Sequence, residues 1–391
     1  MQENNYLPVN WTDGMKINKS HFIAQERAVV YQIAQAAGSL LNDLNYGLLP
    51  FGQAGTGLKL FIAIDNQQKV QVRIQQCRAI TAGGYYIEFN EDTALSGSNL
   101  QTPLVSTPVP IKDLRDKAAA YYVVLTINPY KRVPYGFADP AETPIRIPST
   151  VPFFAVDLVP MTEVTKNKLG LYQLVVGKLI AEEHRISLDE QYIPPCSAVG
   201  SHTDLLEIHA ALEQFLGKME AWSLQIIQKI LQKKQVNDMS VIVQKMCEQI
   251  MVFTANQLAE LKAVGTVQPP VYLVSKVSSL ARMIKNIMDC YLGSGKEELI
   301  NYFTEWCSFS QGELEGAIIL LANHTYDHLD INDSVGKITG FTRILSQLFH
   351  QLARLEYIGK RKDAGIFVKE EVITPSSEQA PPPKRRSFLA D

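Results

Sequence analysis

A chain of 391 residues, 46% hydrophobic and 20% charged, is globular in composition and long enough for two or three domains of ~150 residues each. Its net charge of −3 argues against a nucleic-acid binder, which needs a basic face. Five scattered cysteines without a C-x-x-C, a polar start and no apolar run near ~20 residues point to reduced thiols, no signal peptide and no direct membrane insertion, hence a cytoplasmic protein.

The chain opens with Trp11-x-Asp13-Gly14-Met15, in which Gly14 suits a tight turn at positive φ. His21-Phe22 follows at the mouth of a helix that Ser20 caps and that runs towards Asn45. These residues read as a structured arm packed on its own domain. Next come strands. Gly57–Ile64 and Val70–Ile80 lead through the turn Ala82-Gly83-Gly84 to Tyr85–Phe89, which predicts a hairpin. Further strands are predicted at Tyr121–Asn128, Phe153–Val159, Leu171–Ile180 and Arg185–Leu188. Ten prolines between Pro103 and Pro160 imply loops joining short strands, and an antiparallel sandwich is the natural solution. Asn128–Pro152 reads as a long loop. Its aromatic and cationic run, with Tyr130, Arg132 and Tyr135, either lies on the sandwich or reaches a protein partner.

After Tyr192-Ile193-Pro194-Pro195 the pattern turns helical. Leu205, Ile208, Leu212, Phe215, Met219, Trp222 and Ile226 step by three and four along a predicted helix Thr203–Lys233. A second helix carries Ile242, Met246, Ile250 and Phe253, and Gly265–Pro270 breaks the chain before a helix Val271–Leu292. Helices near Lys296–Trp306 and Gln311–Tyr326 follow, then a last one striped by Ile338, Phe341, Leu345, Leu348, Leu352 and Leu355. Such stripes line either the inside of an intramolecular bundle or the seam of a parallel homo-oligomer. Beyond Gly359 come a strand-like run Ile366–Val372 and a proline-rich tail read as disordered.

No catalytic constellation stands out. There is no phosphate-binding glycine loop and no nucleophile elbow. His324 and His328 would share a helix face with Asp327 nearby, but Thr325 stands where a metalloprotease glutamate belongs, so the group reads as a helix-end polar cluster. No metal, no cofactor and no enzymatic activity are expected.

Five segments, in order, resemble the TssK baseplate proteins of bacterial type VI secretion systems. They are Trp11-x-Asp13-Gly14-Met15 with His21-Phe22-x-x-Gln25-Glu26-Arg27, Gly83–Phe89, Tyr192–Cys196, Pro269-Pro270-Val271-Tyr272 and Tyr326–Asp330. The resemblance implies a homotrimer with an N-terminal β-sandwich shoulder akin to phage receptor-binding proteins, a helical neck and a C-terminal head. The shoulder would dock on the baseplate wedge built from TssF and TssG, and the head would contact the membrane complex. The fold expected is therefore α+β and multidomain: a shoulder with its arm and helix over 1–200, a helical neck bundle over 201–358, a reduced head stub over 359–374 and a disordered tail over 375–391. So short a C-terminal remainder is too small for the usual head.

Candidate wedge contacts are Trp11, Met15, His21, Phe22, Tyr130, Arg132 and Tyr135. Candidates for the trimer or bundle seam are Leu205, Ile208, Leu212, Phe215, Met219, Trp222 and Ile226. Lys384, Arg385, Arg386 and Phe388 are candidates for docking a membrane-complex protein of unknown identity. The implied place is cytoplasmic, at the inner-membrane face. The alternative reading is a phage-tail-derived receptor-binding module that recognises a surface ligand.

Overall fold

The computed structural model describes residues 6–50, 57–67, 69–90, 106–110, 119–164, 169–182 and 186–359. The expected head stub and tail, with Ile366–Val372 and the docking candidates Lys384, Arg385, Arg386 and Phe388, lie outside the described residues, apart from Gly359. The architecture is α+β. Among the described residues, helix α1 (Lys19–Gly38) is followed by nine strands and then by six further helices.

One sheet is organised around β3 (Lys69–Ile80), which pairs antiparallel with β1 (Gly47–Leu48), β2 (Leu58–Ile64), β4 (Tyr86–Asn90) and β5 (Ser106–Pro110). The other has the order β7 (Ser149–Pro160), β6 (Ala120–Tyr135), β8 (Gln173–Ala181), β9 (Ile186–Leu188), all antiparallel. Their inner faces share one core, with Val70, Val72 and Ile74 on one side and Val123, Leu125, Val156 and Leu174 on the other. The alternation in β3 changes phase midway. Lys59 pairs with Gln76 but Leu60 pairs with Ile74, so Gln75 is an extra residue. This bulge moves the buried set from Val70, Val72 and Ile74 to Cys77 and Ala79.

Several predicted boundaries shift. Asn18, not Ser20, caps α1. Its side chain accepts from the Ser20 N–H at 2.9 Å, while His21 Nδ1 accepts from the Asn18 N–H. The helix ends at Gly38 rather than near Asn45. The expected loop Asn128–Pro152 is strand at both of its ends, because β6 and β7 resume pairing from Arg132 to Tyr135 opposite Ser149 to Pro152, and only 136–148 lie outside the strands. Pro129 and Pro134 are tolerated because the β6–β8 ladder stops at Thr126, and among the described residues that stretch pairs with β7 alone.

The helices are α2 (Thr203–Gln232), α3 (Asp238–Val264), α4 (Val271–Asp289), α5 (Lys296–Trp306), α6 (Gln311–Ala322) and α7 (Ile331–Arg354). Leu205, Leu212, Phe215, Met219 and Ile226 are buried, and Ile208 and Trp222 pack against the same core. That stripe is the inside of this bundle, facing α3 and α7. Ile338, Phe341, Leu345, Leu348 and Leu352 of α7 are buried in the same core, while Leu355 falls just past the helix end.

The sandwich and the bundle are joined by a buried polar lock. The His328 side chain is buried; its Nε2 lies 2.9 Å from the Tyr46 carbonyl oxygen and its Nδ1 lies 2.9 Å from the Tyr326 hydroxyl. A carbonyl only accepts, so Nε2 carries the proton and Nδ1 accepts from Tyr326. Tyr192 Oη donates to the Leu329 carbonyl at 3.0 Å. Asn332 accepts from the Ile193 N–H at 2.8 Å and donates to the Gln191 carbonyl at 2.6 Å. His328→Ala would empty this volume and strip partners from two buried oxygens. It is expected to destabilise the protein by about 3 kcal/mol or more, read as a shifted denaturant midpoint.

Candidate functional site

Helix α1 is inside out. The residues it buries fully are small, Ala28 and Ala34, with Val30 packed partly against the core, and three large apolar ones face solvent: Phe22 is 62% exposed and Ile33 is 63% exposed, with Val29 beside them. Positions 22, 29 and 33 share one helix face. The small inner face permits close packing. Gly84, at φ +79 in the β3–β4 turn, sits so near α1 that a Cβ would meet the Ala34 carbonyl and the Gly38 N–H. A contiguous exposed apolar face on a close-packed helix makes this surface the candidate site.

The N-terminal arm extends that face. Val9 donates its N–H to Gln25 Oε1 at 3.1 Å. The Trp11 ring lies 6.0 Å from His21 and 6.4 Å from Phe22, yet stays about half exposed. Gly14 has φ +76, and the Met15 N–H closes the predicted turn onto the Thr12 carbonyl at 3.2 Å. Met15 is half-buried, and Leu7 and Ile17 are exposed.

The second group of candidates reaches the same place from β6. Asn128 pairs with Phe153 and Arg132 with Pro152, so Pro129, Tyr130 and Lys131 bulge out of that ladder. Asn128 Oδ1 fixes the bulge by accepting from the Tyr130 and Lys131 N–H groups at 3.2 and 3.1 Å. Tyr130 thereby meets the arm. Its ring is 4.1 Å from Tyr6 and its hydroxyl 3.1 Å from that of Tyr85. Tyr6 also contacts Tyr31 and lies under Arg27. Burial pushes the Tyr85 and Tyr130 hydroxyls up from their ordinary range, so both stay protonated. Arg132 pairs with Glu26 of α1 at 2.7 Å. This pair is largely exposed, so it orients more than it stabilises. Beyond the bulge, Tyr135 is half-buried, and Phe137 and Ile145 are exposed on the β6–β7 connection.

The structure thus brings Trp11, Met15, His21, Phe22, Tyr130 and Arg132 onto one surface, with Tyr135 farther along the hairpin. His21 and Tyr130 do structural work there, as a cap partner and an arm anchor. Sequence reading missed Tyr6, Tyr31 and the Glu26–Arg132 pair. Its available signal was the spacing of Phe22, Val29 and Ile33 on a face opposite Ala28 and Ala34.

The other polar cluster is not a site. α6 ends at Ala322, so His324 and His328 do not share a helix face. His324 Nε2 is 2.7 Å from Ser334 Oγ, while His328 points into the joint with Tyr46. Among the described residues no group of three His, Cys, Asp or Glu could hold a metal. Burial raises the thiols of Cys77 and Cys247 to about 12 and that of Cys307 to about 11, which keeps them from acting as thiolates. Among the described residues no helix is long and apolar enough to cross a membrane.

A two-sheet sandwich carrying an arm and a helix, locked to a helical bundle, defines the class of fold. Within that class the chain has the TssK fold. A crystal structure of TssK is similar with a TM-score of 0.50 and 14% identity, over 88% of this chain and 69% of that one. Two other solved structures are also similar. One, the baseplate complex from the type VI secretion system, has a TM-score of 0.46 at 11% identity, over 88% of this chain and 99% of that one. The other, the TssK-TssF-TssG baseplate subcomplex, has a TM-score of 0.42 at 12% identity, over 89% of this chain and 99% of that one. No family model matches the sequence, and no curated protein matches it.

Tyr130→Ala would remove the ring on which the arm stacks. Hydrogen exchange of residues 6–17 should then rise severalfold while the bundle amides stay as protected as before. Unchanged exchange in the arm would mean that Gln25 and α1 alone hold it.

Proposed function

We propose that this chain is a non-enzymatic structural component of a type VI secretion baseplate, acting as a homotrimeric adaptor between the wedge and the membrane complex. The observation that supports it is the coincidence of a TssK fold with TssK-like motifs in the same order along the chain. On this reading residues 1–200 form the shoulder and 201–358 the neck. The apolar face of α1, with Trp11 and Phe22, is the wedge-binding surface, and its partners are TssF and TssG. The location that follows is cytoplasmic, at the inner-membrane face.

Large exposed aromatics at the centre of such a face are where binding energy concentrates. Trp11→Ala and Phe22→Glu should each weaken capture of co-expressed TssF and TssG by roughly tenfold or more, with unchanged solution mass. Loss of the oligomer instead would assign this surface to assembly. Full capture by both variants would remove α1 from the interface. An intact oligomer whose wild type ignores the wedge proteins would favour a phage-type receptor-binding module.

The membrane-complex contact is assigned to the C-terminal segment with Lys384, Arg385, Arg386 and Phe388. A chain ended after Gly359 should then lose its membrane-complex partner in a pull-down while keeping TssF and TssG. Undiminished capture would move that contact to the distal neck.

A further inference from the structure

Between α6 and α7 lies an open groove of about 490 Å³. The two helices run antiparallel. Gln347 Nε2, late in α7, donates to Ser308 Oγ just before α6 at 2.7 Å, and His324, just after α6, meets Ser334 early in α7. The groove walls are bare. Gly312 and Gly316 stand one turn apart on α6, Gly336 and Gly340 one turn apart on α7, and a Cβ on any of the four would meet nothing within 4 Å. Each costs its helix about 1 kcal/mol relative to alanine, with no close approach among the described residues to require it. Buried Phe341 and Ile344 line the groove as well, and Leu320 stands 60% exposed beside them.

A second observation leads to the same place. After α7 the chain is pinned at Ile358, whose N–H donates to Gln235 Oε1 at 2.8 Å and whose carbonyl accepts from Asn237 Nδ2 at 3.2 Å. The next residue, Gly359, brings its backbone up to the Tyr302 hydroxyl of α5. The Tyr302 side chain is only 4% exposed, yet its hydroxyl has no hydrogen-bond partner, and neither does the buried indole N–H of Trp306 one turn on. From Tyr302, α5 leads through Trp306 to Ser308 and the groove, so two orphaned donors mark the way from Gly359.

We propose that the chain's own next segment occupies this groove, with residues 360–365 crossing α5 and Ile366-Phe367-Val368 lying on the four glycines. The inference rests on neither the baseplate role nor the oligomeric state. Charge, reach and hydropathy choose the occupant. Lys360-Arg361-Lys362 would pass Glu298 and Glu305, which share the Tyr302 face of α5 and make no ion pair among the described residues. The carbonyls of that stretch would supply the acceptors that Tyr302 and Trp306 lack. Extended chain from Gly359 to Ile366 spans ~23 Å, and Gly340 lies ~21 Å back along α7 from its end at Arg354. Ile366-Phe367-Val368 is the first apolar run beyond Gly359, β-branched and aromatic as extended segments are, and bare glycine backbone admits it at close range. Glu370 and Glu371 then come within reach of Arg343, which lines the groove without a salt bridge among the described residues. An apolar helix from another molecule would fill the groove but leave Tyr302 and Trp306 unpaired, since neither lines it.

The test uses the full chain. Amides of 366–369 should exchange hydrogen at least ~tenfold more slowly than those of 376–391. Gly316→Leu with Gly340→Leu should abolish that protection while the melting midpoint holds or rises, because both sites are open and leucine favours the helix. Phe367→Glu should abolish it as well and leave the bundle amides unchanged. In a Cys290→Ser background, Gly340→Cys with Phe367→Cys should form a disulfide within one chain. The proposal is overturned if 366–369 exchanges as fast as 376–391 in the wild type, or if filling the groove leaves its protection intact. A disulfide that joins two chains would also overturn it, in favour of a neighbouring copy's segment.

Discussion

The imidazole of His328 is the pin of this molecule. It is buried where the sandwich meets the bundle and is held in one tautomer, with the Tyr46 carbonyl on Nε2 and the Tyr326 hydroxyl on Nδ1. Tyr46 precedes β1, and Tyr326 lies between α6 and α7. The Tyr46 bond ties residues 282 apart in the chain, and the Tyr326 bond fixes the ring that makes it. A buried polar network of this kind tolerates no partial satisfaction, so it sets one orientation of the halves rather than a range. Asn332 and Tyr192 repeat the constraint one step away, through backbone groups of Gln191, Ile193 and Leu329.

The ordered motifs are joints. Tyr192–Cys196 and Tyr326–Asp330 meet each other at the pin. Pro195 also approaches Gly47, at φ +114, so closely that any side chain there would strike its carbonyl. Gly84 makes the equivalent approach to α1. Pro269 and Pro270 start α4 just after Gln268 accepts from the Val199 N–H at 2.8 Å. Where backbones touch, few residues fit. This is the physical reason that short strings of Gly, Pro and aromatic residues characterise a fold better than its periodic core does.

A rigid frame gives meaning to the surfaces it leaves open. α1 buries alanines and presents Phe22, Val29 and Ile33, while α2 buries one heptad stripe and presents another from Ala210 to Leu231. Neither face is explained by the protomer's own stability, since each withholds large apolar groups from its core. Both lie on helices anchored along their opposite sides, so neither needs ordering to present its face.

Periodicity and turn chemistry by themselves determined the element types. The order of β half then helical half, the hairpin at Ala82–Gly84, the α2 stripe and the presence of an early helix, though neither its cap nor its end, were legible, because each depends on residues within a turn or two. The joint at His328 was not, since nothing local to a histidine says which distant carbonyl it will meet. The same holds for the bulge at Pro129 to Lys131, read as loop because proline forbids an ordinary ladder. Only pairing with β7 showed that the ladder resumes past it and turns Tyr130 onto the arm. A three-four stripe tells that a helix has an apolar face but not what covers it. Tertiary packing spent the stripe from Leu205 to Ile226 inside the bundle and left the one from Ala210 to Leu231 in solvent.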